Sequence, residues 1–128
     1  METPAQTFLT DRKRVDGYGS AHTGTAQHWR VTMSSVALVL LVPLFLFTFG
    51  AIIGAPYEEA VAYYSRPFPA IVAALTFAVG WWHFAKGAQV LITDYARGMT
   101  RKALIIAVHI VAYGAALACL YALARLAL

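Results

Sequence analysis

Charge is what this chain has least of. Only 12% of its 128 residues are charged and 60% are hydrophobic, against roughly 25% charged in a typical soluble domain. That shortage leaves too little polar surface to cover a water-soluble particle. Three helices buried in a soluble bundle would still need polar outer faces, and VALVLLVPLFLFTFGAII and ALIIAVHIVAYGAALACLYALA have none. The single cysteine, Cys119, excludes an intrachain disulfide and reads as packing within an apolar run. A cleavable signal peptide is not expected, because the first 30 residues are polar and the first apolar run is too long for a signal core. The chain has neither internal repeats nor low-complexity tracts.

The gaps between charges give the architecture. Twenty-seven uncharged positions separate Arg30 from Glu58, 19 separate Arg66 from Lys86, and 22 separate Lys102 from Arg125. A bilayer core takes about 20 mostly apolar residues per helix. The expectation is an all-α membrane protein with a polar tail at 1–30, spans at 31–54, 68–93 and 103–125, an outer connection at 55–67 and an inner loop at 94–102. The last span carries the chain to residue 128.

The net charge of +4 matters less than its distribution. Arg12, Lys13, Arg14 and Arg30 precede span 1, and Arg97, Arg101 and Lys102 join spans 2 and 3, on the same side. The opposite side has Arg66 and Arg125, with Glu58 and Glu59 nearby. The positive-inside rule then puts the N-terminus in the cytoplasm and the C-terminus in the periplasm of a bacterial inner membrane. Basic residues spread along membrane flanks give no support to nucleic-acid binding.

Trp29 and Arg30 suit the interface before span 1, and Tyr57, Tyr63 and Tyr64 suit the opposite one, where a short surface helix fits. Pro43 interrupts span 1, and Pro67 and Pro69 suit the first turn of span 2. Gly50 and Gly54 form a GxxxG pattern that would allow close helix approach.

The chemistry lies in HFAKGAQVLITDY, residues 83–95. Ionisable groups inside a span are costly, so they face protein, water or a cofactor. His83 lies near the centre of span 2, and imidazole is a common ligand to metals and haem iron. Gly80 and Gly87 flank it on one helical face and would leave room for a flat macrocycle. The plainer alternative is a histidine hydrogen-bonded to a neighbouring helix. Asp94 falls within about 20° of His83 on the helix and about 16 Å further along it. With Tyr95 it supplies a phenol donor beside a carboxylate, the equipment a quinone headgroup needs. The alternative is an interfacial tyrosine next to a solvated aspartate. Lys86 can snorkel or meet an acidic group. His109, in span 3, reads as a polar contact between helices, and His22 and His28 have no metal-site spacing.

The H-x10-D-Y spacing from His83 to Tyr95, with its QVLITDY ending, resembles the small hydrophobic membrane-anchor subunits of bacterial succinate dehydrogenase (respiratory complex II). GSAHTGTAQHWRVTMSSVAL resembles the start of span 1 in the same family, particularly in alphaproteobacterial members. The resemblance implies that His83 is an axial ligand to haem b, the other coming from the second membrane-anchor (cytochrome b556) subunit. It implies that Tyr95 hydrogen-bonds a ubiquinone carbonyl and that Asp94 orders that site through an arginine of the partner. It also implies that Arg30 lies near the haem propionates. Lys86 has no counterpart in that pattern. The implied partners include a flavoprotein carrying FAD and an iron–sulfur protein, which perform the succinate half-reaction of the tricarboxylic acid cycle. With one cysteine and no dinucleotide-binding signature, this chain cannot perform that half-reaction and is expected to hold no catalytic residue. The competing readings are a cofactor-free structural anchor or assembly protein, and a self-contained small b-type cytochrome using His83 and His109.

Overall fold

The computed structural model describes residues 10–17 and 24–127. In lipid every backbone amide must be satisfied within its own segment, so long apolar stretches become helices. Three helices meet that demand: α2 (Gly24–Gly50), α4 (Pro67–Tyr95) and α5 (Gly98–Ala127), each long and apolar enough to cross a membrane. Two shorter helices, α1 (Asp11–Asp16) and α3 (Tyr57–Tyr64), complete the described elements, among which there is no strand. Helix α1 lies within the polar tail, where the Thr10 side chain caps it by accepting from the Lys13 amide at 3.2 Å. The 27, 29 and 30 residues of the three long helices correspond to about 40–45 Å at 1.5 Å per residue. That is a full bilayer with both headgroup layers.

Their ends have local causes. Helix α2 runs through Pro43 and stops at Gly50, four residues short of position 54. Its last turn tightens, with Ile52 N–H on the Phe49 carbonyl at 3.1 Å and Ala55 N–H on the Ile52 carbonyl at 3.0 Å. Gly54 follows at φ +84°, a conformation that needs glycine. The GxxxG pair therefore ends a helix; a Cβ at either glycine would meet nothing within 4 Å, so no second helix approaches there. Pro67 occupies the first position of α4, where its missing N–H costs nothing. Helix α4 ends as Ala96 turns extended, and Gly98 at φ +61° starts α5 after a connection of two residues, Ala96 and Arg97.

Helix α4 is the middle of a single layer. It packs against α2 on one side and α5 on the other, while α2 and α5 do not approach each other. Helix α3 lies against the N-terminal end of α4 and the C-terminal end of α5, fixed where the Ser65 hydroxyl reaches the Leu126 carbonyl at 3.2 Å. Burial of Tyr64, followed by the neighbouring Tyr63, raises its phenol above the ordinary tyrosine value.

Contacts between α2 and α4 set an antiparallel register. Phe45 meets Phe77 edge-on with ring centroids 5.4 Å apart, and Thr76 Oγ1 reaches the Leu41 carbonyl at 3.4 Å. A layer this thin buries few side chains: Ala73, Ala85 and Ala112 are inaccessible, while Leu40, Phe47, Ile71, Leu91, Ile110 and Leu117 are exposed. Both broad faces are apolar and open to lipid or to other helices.

Candidate functional site

The site is built from the N-terminal half of α2 and the C-terminal half of α4. Ser34 is buried on α2, and its Oγ lies 2.8 Å from Nδ1 of the half-buried His83 on α4. Leu41 comes seven residues after Ser34 and Thr76 seven before His83, so both contacts belong to one antiparallel register. The Ser34 hydroxyl also lies 2.7 Å from the carbonyl of Val31, three residues back in its own helix. His83 thus makes the helix-to-helix hydrogen bond that was the plainer expectation. The bond uses Nδ1 alone, and among the described residues Nε2 has no hydrogen-bond partner.

Arg30 lies one turn before Ser34 on α2, and both line a groove of about 700 Å³ between α2 and α4. The other walls are apolar, formed by Trp29, Met33, Ala37, Ala78, Val79 and Trp82. His83 borders this groove through Ser34 and is not itself a wall residue. The two glycines differ. A Cβ at Gly80 would lie 4.0 Å from Leu38 Cδ2, so α2 already takes that space, while a Cβ at Gly87 would meet nothing within 4 Å. By the helix register, Gly87 is level with Arg30. The room expected at two glycines is therefore present at Gly87 alone.

Asp94 and Tyr95 close α4 and are exposed, Tyr95 at 84%. Neither has a hydrogen-bond or ion-pair partner among the described residues. Arg30 and Lys86 likewise make no ion pair there. Lys86 points away from the His83 contact, into a second groove of about 640 Å³ between α4 and α5 that it shares with Gln89, His109 and Tyr113.

His109 departs from its expected role. Its Nδ1 donates to the Ile105 carbonyl of its own helix at 2.8 Å and its ring packs edge-on to Tyr113, so it does not bridge helices. His83 bonds α2, on one side of α4, while His109 lines the groove between α4 and α5 on the other. His28 is exposed in the first turns of α2, and His22 lies outside the described residues. Ser34 is the residue that the sequence reading missed. It is 49 positions from His83, and no spacing rule joins a serine in one apolar helix to a histidine in another.

Comparisons with known proteins agree on the family. The model of the succinate dehydrogenase/fumarate reductase transmembrane subunit matches residues 7–121. The succinate dehydrogenase hydrophobic membrane anchor subunit of Paracoccus denitrificans is 47% identical over 121 residues, 94% of this chain and 94% of that protein. No solved structure matches the chain. A three-helix membrane layer with bare faces, matched over nearly its whole length, places this chain in the succinate dehydrogenase/fumarate reductase transmembrane subunit family.

Proposed function

We propose that this chain, a multi-pass inner-membrane subunit of a succinate:quinone oxidoreductase, contributes one axial ligand of a haem b and part of the ubiquinone-reduction site. It would hold the flavoprotein and iron–sulfur subunits on the cytoplasmic face, with its N-terminus on that side and its C-terminus in the periplasm. Its bare apolar faces suit a second anchor subunit, which would bring the other axial histidine.

The observation that carries the haem reading is the path from Arg30 through Ser34 to His83. The donor set fits the group: an imidazole with Nδ1 engaged and Nε2 without a partner among the described residues, apolar walls, and a guanidinium toward the inner end of the groove. Arginine pairs well with carboxylates, so Arg30 would hold the propionates. Haem b bound there supplies a one-electron carrier between the iron–sulfur subunit and the quinone. Asp94, on the helical face of His83 and about 16 Å further in, and Tyr95 next to it would then stand beside the docked subunits. There the phenol can donate to a quinone carbonyl while the carboxylate pairs with an arginine of the partner.

The test is purification from the native membrane. A tag on this chain is expected to bring down the flavoprotein, the iron–sulfur subunit and a second anchor, with a b-type absorption spectrum. Recovery of the complex without haem would leave a cofactor-free anchor and defeat the ligand assignment. His109→Ala is expected to leave that spectrum unchanged, because His109 faces the other groove. Loss of haem in that variant would favour a single-chain cytochrome.

A further inference from the structure

We infer that Ser34 is a positioning residue for His83: its hydroxyl fixes which ring nitrogen carries the proton and leaves Nε2 bare for iron. The inference rests on the proposed haem ligation and adds a residue that is neither a ligand nor in contact with quinone.

The argument is a balance of donors. Neutral imidazole carries one N–H, and a ring bound to iron through Nε2 must carry it on Nδ1. In a span no water stands ready to accept that proton, and an unmet buried donor is costly. Among the described residues the one polar atom within reach of Nδ1 is Ser34 Oγ, at 2.8 Å. A hydroxyl can accept there only if its own proton points elsewhere, and the Val31 carbonyl at 2.7 Å receives it. The chain of bonds therefore runs from His83 Nδ1–H to Ser34 Oγ–H to Val31 C=O. In the reverse arrangement Ser34 would donate to Nδ1, Nε2 would hold the proton, and the ring could not bind iron.

Two consequences follow. First, the bond fixes the plane of the imidazole, because Ser34 is buried on a different helix from His83 and moves only with α2. Second, a hydrogen bond from the far nitrogen makes a ligating imidazole more basic and favours oxidised iron. The push is gentler than a carboxylate would give. The Ser35 hydroxyl also bonds the Val31 carbonyl, at 3.0 Å, so the chain ends on an acceptor already in use.

The experiment uses the intact complex with Ser34→Ala, Ser34→Cys or Ser34→Thr. Haem is titrated against potential, and the ferric spectrum is recorded by electron paramagnetic resonance. Ser34→Ala removes the acceptor, and Ser34→Cys replaces it with a weak one. Both are expected to raise the haem midpoint potential, to shift the low-spin ferric signal and to weaken haem retention by about 10–100-fold. Ser34→Thr keeps the hydroxyl and is expected to match the parent. A change in helix packing alone would not raise the potential in the cysteine variant while sparing the threonine one. If Ser34→Ala fails to assemble, Ser34→Cys decides. Parental potential and signal in haem-loaded Ser34→Cys would overturn the role. Failure of the ligation reading looks different: the parent complex has no haem, or His83→Ala retains an unaltered spectrum.

Discussion

A complex carrying His83→Ala is expected to lack the b-type haem spectrum while keeping its flavin and iron–sulfur content. The substitution removes the imidazole and leaves the Ser34 hydroxyl facing a methyl group at mid-depth. In structural terms the change is small, since interhelical hydrogen bonds in membranes average about 0.6 kcal/mol. Ser34 can also keep its bond to the Val31 carbonyl within its own helix. Other contacts between α2 and α4 persist, among them Thr76 with Leu41 and Phe45 with Phe77. The helix layer should therefore assemble, and loss of the spectrum would report ligation. The measurement is a reduced-minus-oxidised spectrum normalised to flavin. An unaltered spectrum would refute the assignment and leave His83 as a hinge between two helices.

The membrane architecture was legible because it depends on one-dimensional facts. Stretches without charge set where helices cross, and Pro67 marks where α4 begins; the start of α5 at Gly98, ahead of the expected position 103, was not marked. Lateral arrangement was not legible. A helix that is apolar all round gives no periodic signal for the face that meets its neighbour, so the flat order of α2, α4 and α5 could not be read. The same blindness explains three details. The Gly50 and Gly54 spacing suggested close packing, but Gly54 serves a positive-φ turn beyond the end of α2. Spacing of His109 within α5 gave no hint that its ring would bond its own helix at Ile105. Gly80 and Gly87 looked equivalent on a helical wheel, yet α2 covers only the first. At the candidate site the sequence supplied the side chains, and the fold supplied Ser34 and the groove wall that holds Arg30.

Tyr95→Phe is expected to lower succinate:quinone activity while leaving succinate oxidation by an artificial dye intact. The substitution keeps the ring, so an interfacial anchor would lose little, and it removes only the hydroxyl. In this chain Tyr95 is 84% exposed and makes no hydrogen bond among the described residues, so no fold contact is broken. Stability of α4 should be unchanged, because its last amide contact, Ala96 N–H on the Ile92 carbonyl at 2.9 Å, involves backbone alone. Under the proposed role, the hydroxyl meets a quinone carbonyl in a pocket closed by the partner subunits. Leaving a buried acceptor without its donor costs about 1–3 kcal/mol, which predicts a loss of roughly five- to 150-fold in kcat/KM for quinone. Dye reduction draws electrons upstream of this subunit and should stay at the parental rate. A parallel fall in both rates would signal a damaged complex, and normal quinone kinetics would show that Tyr95 is only an anchor.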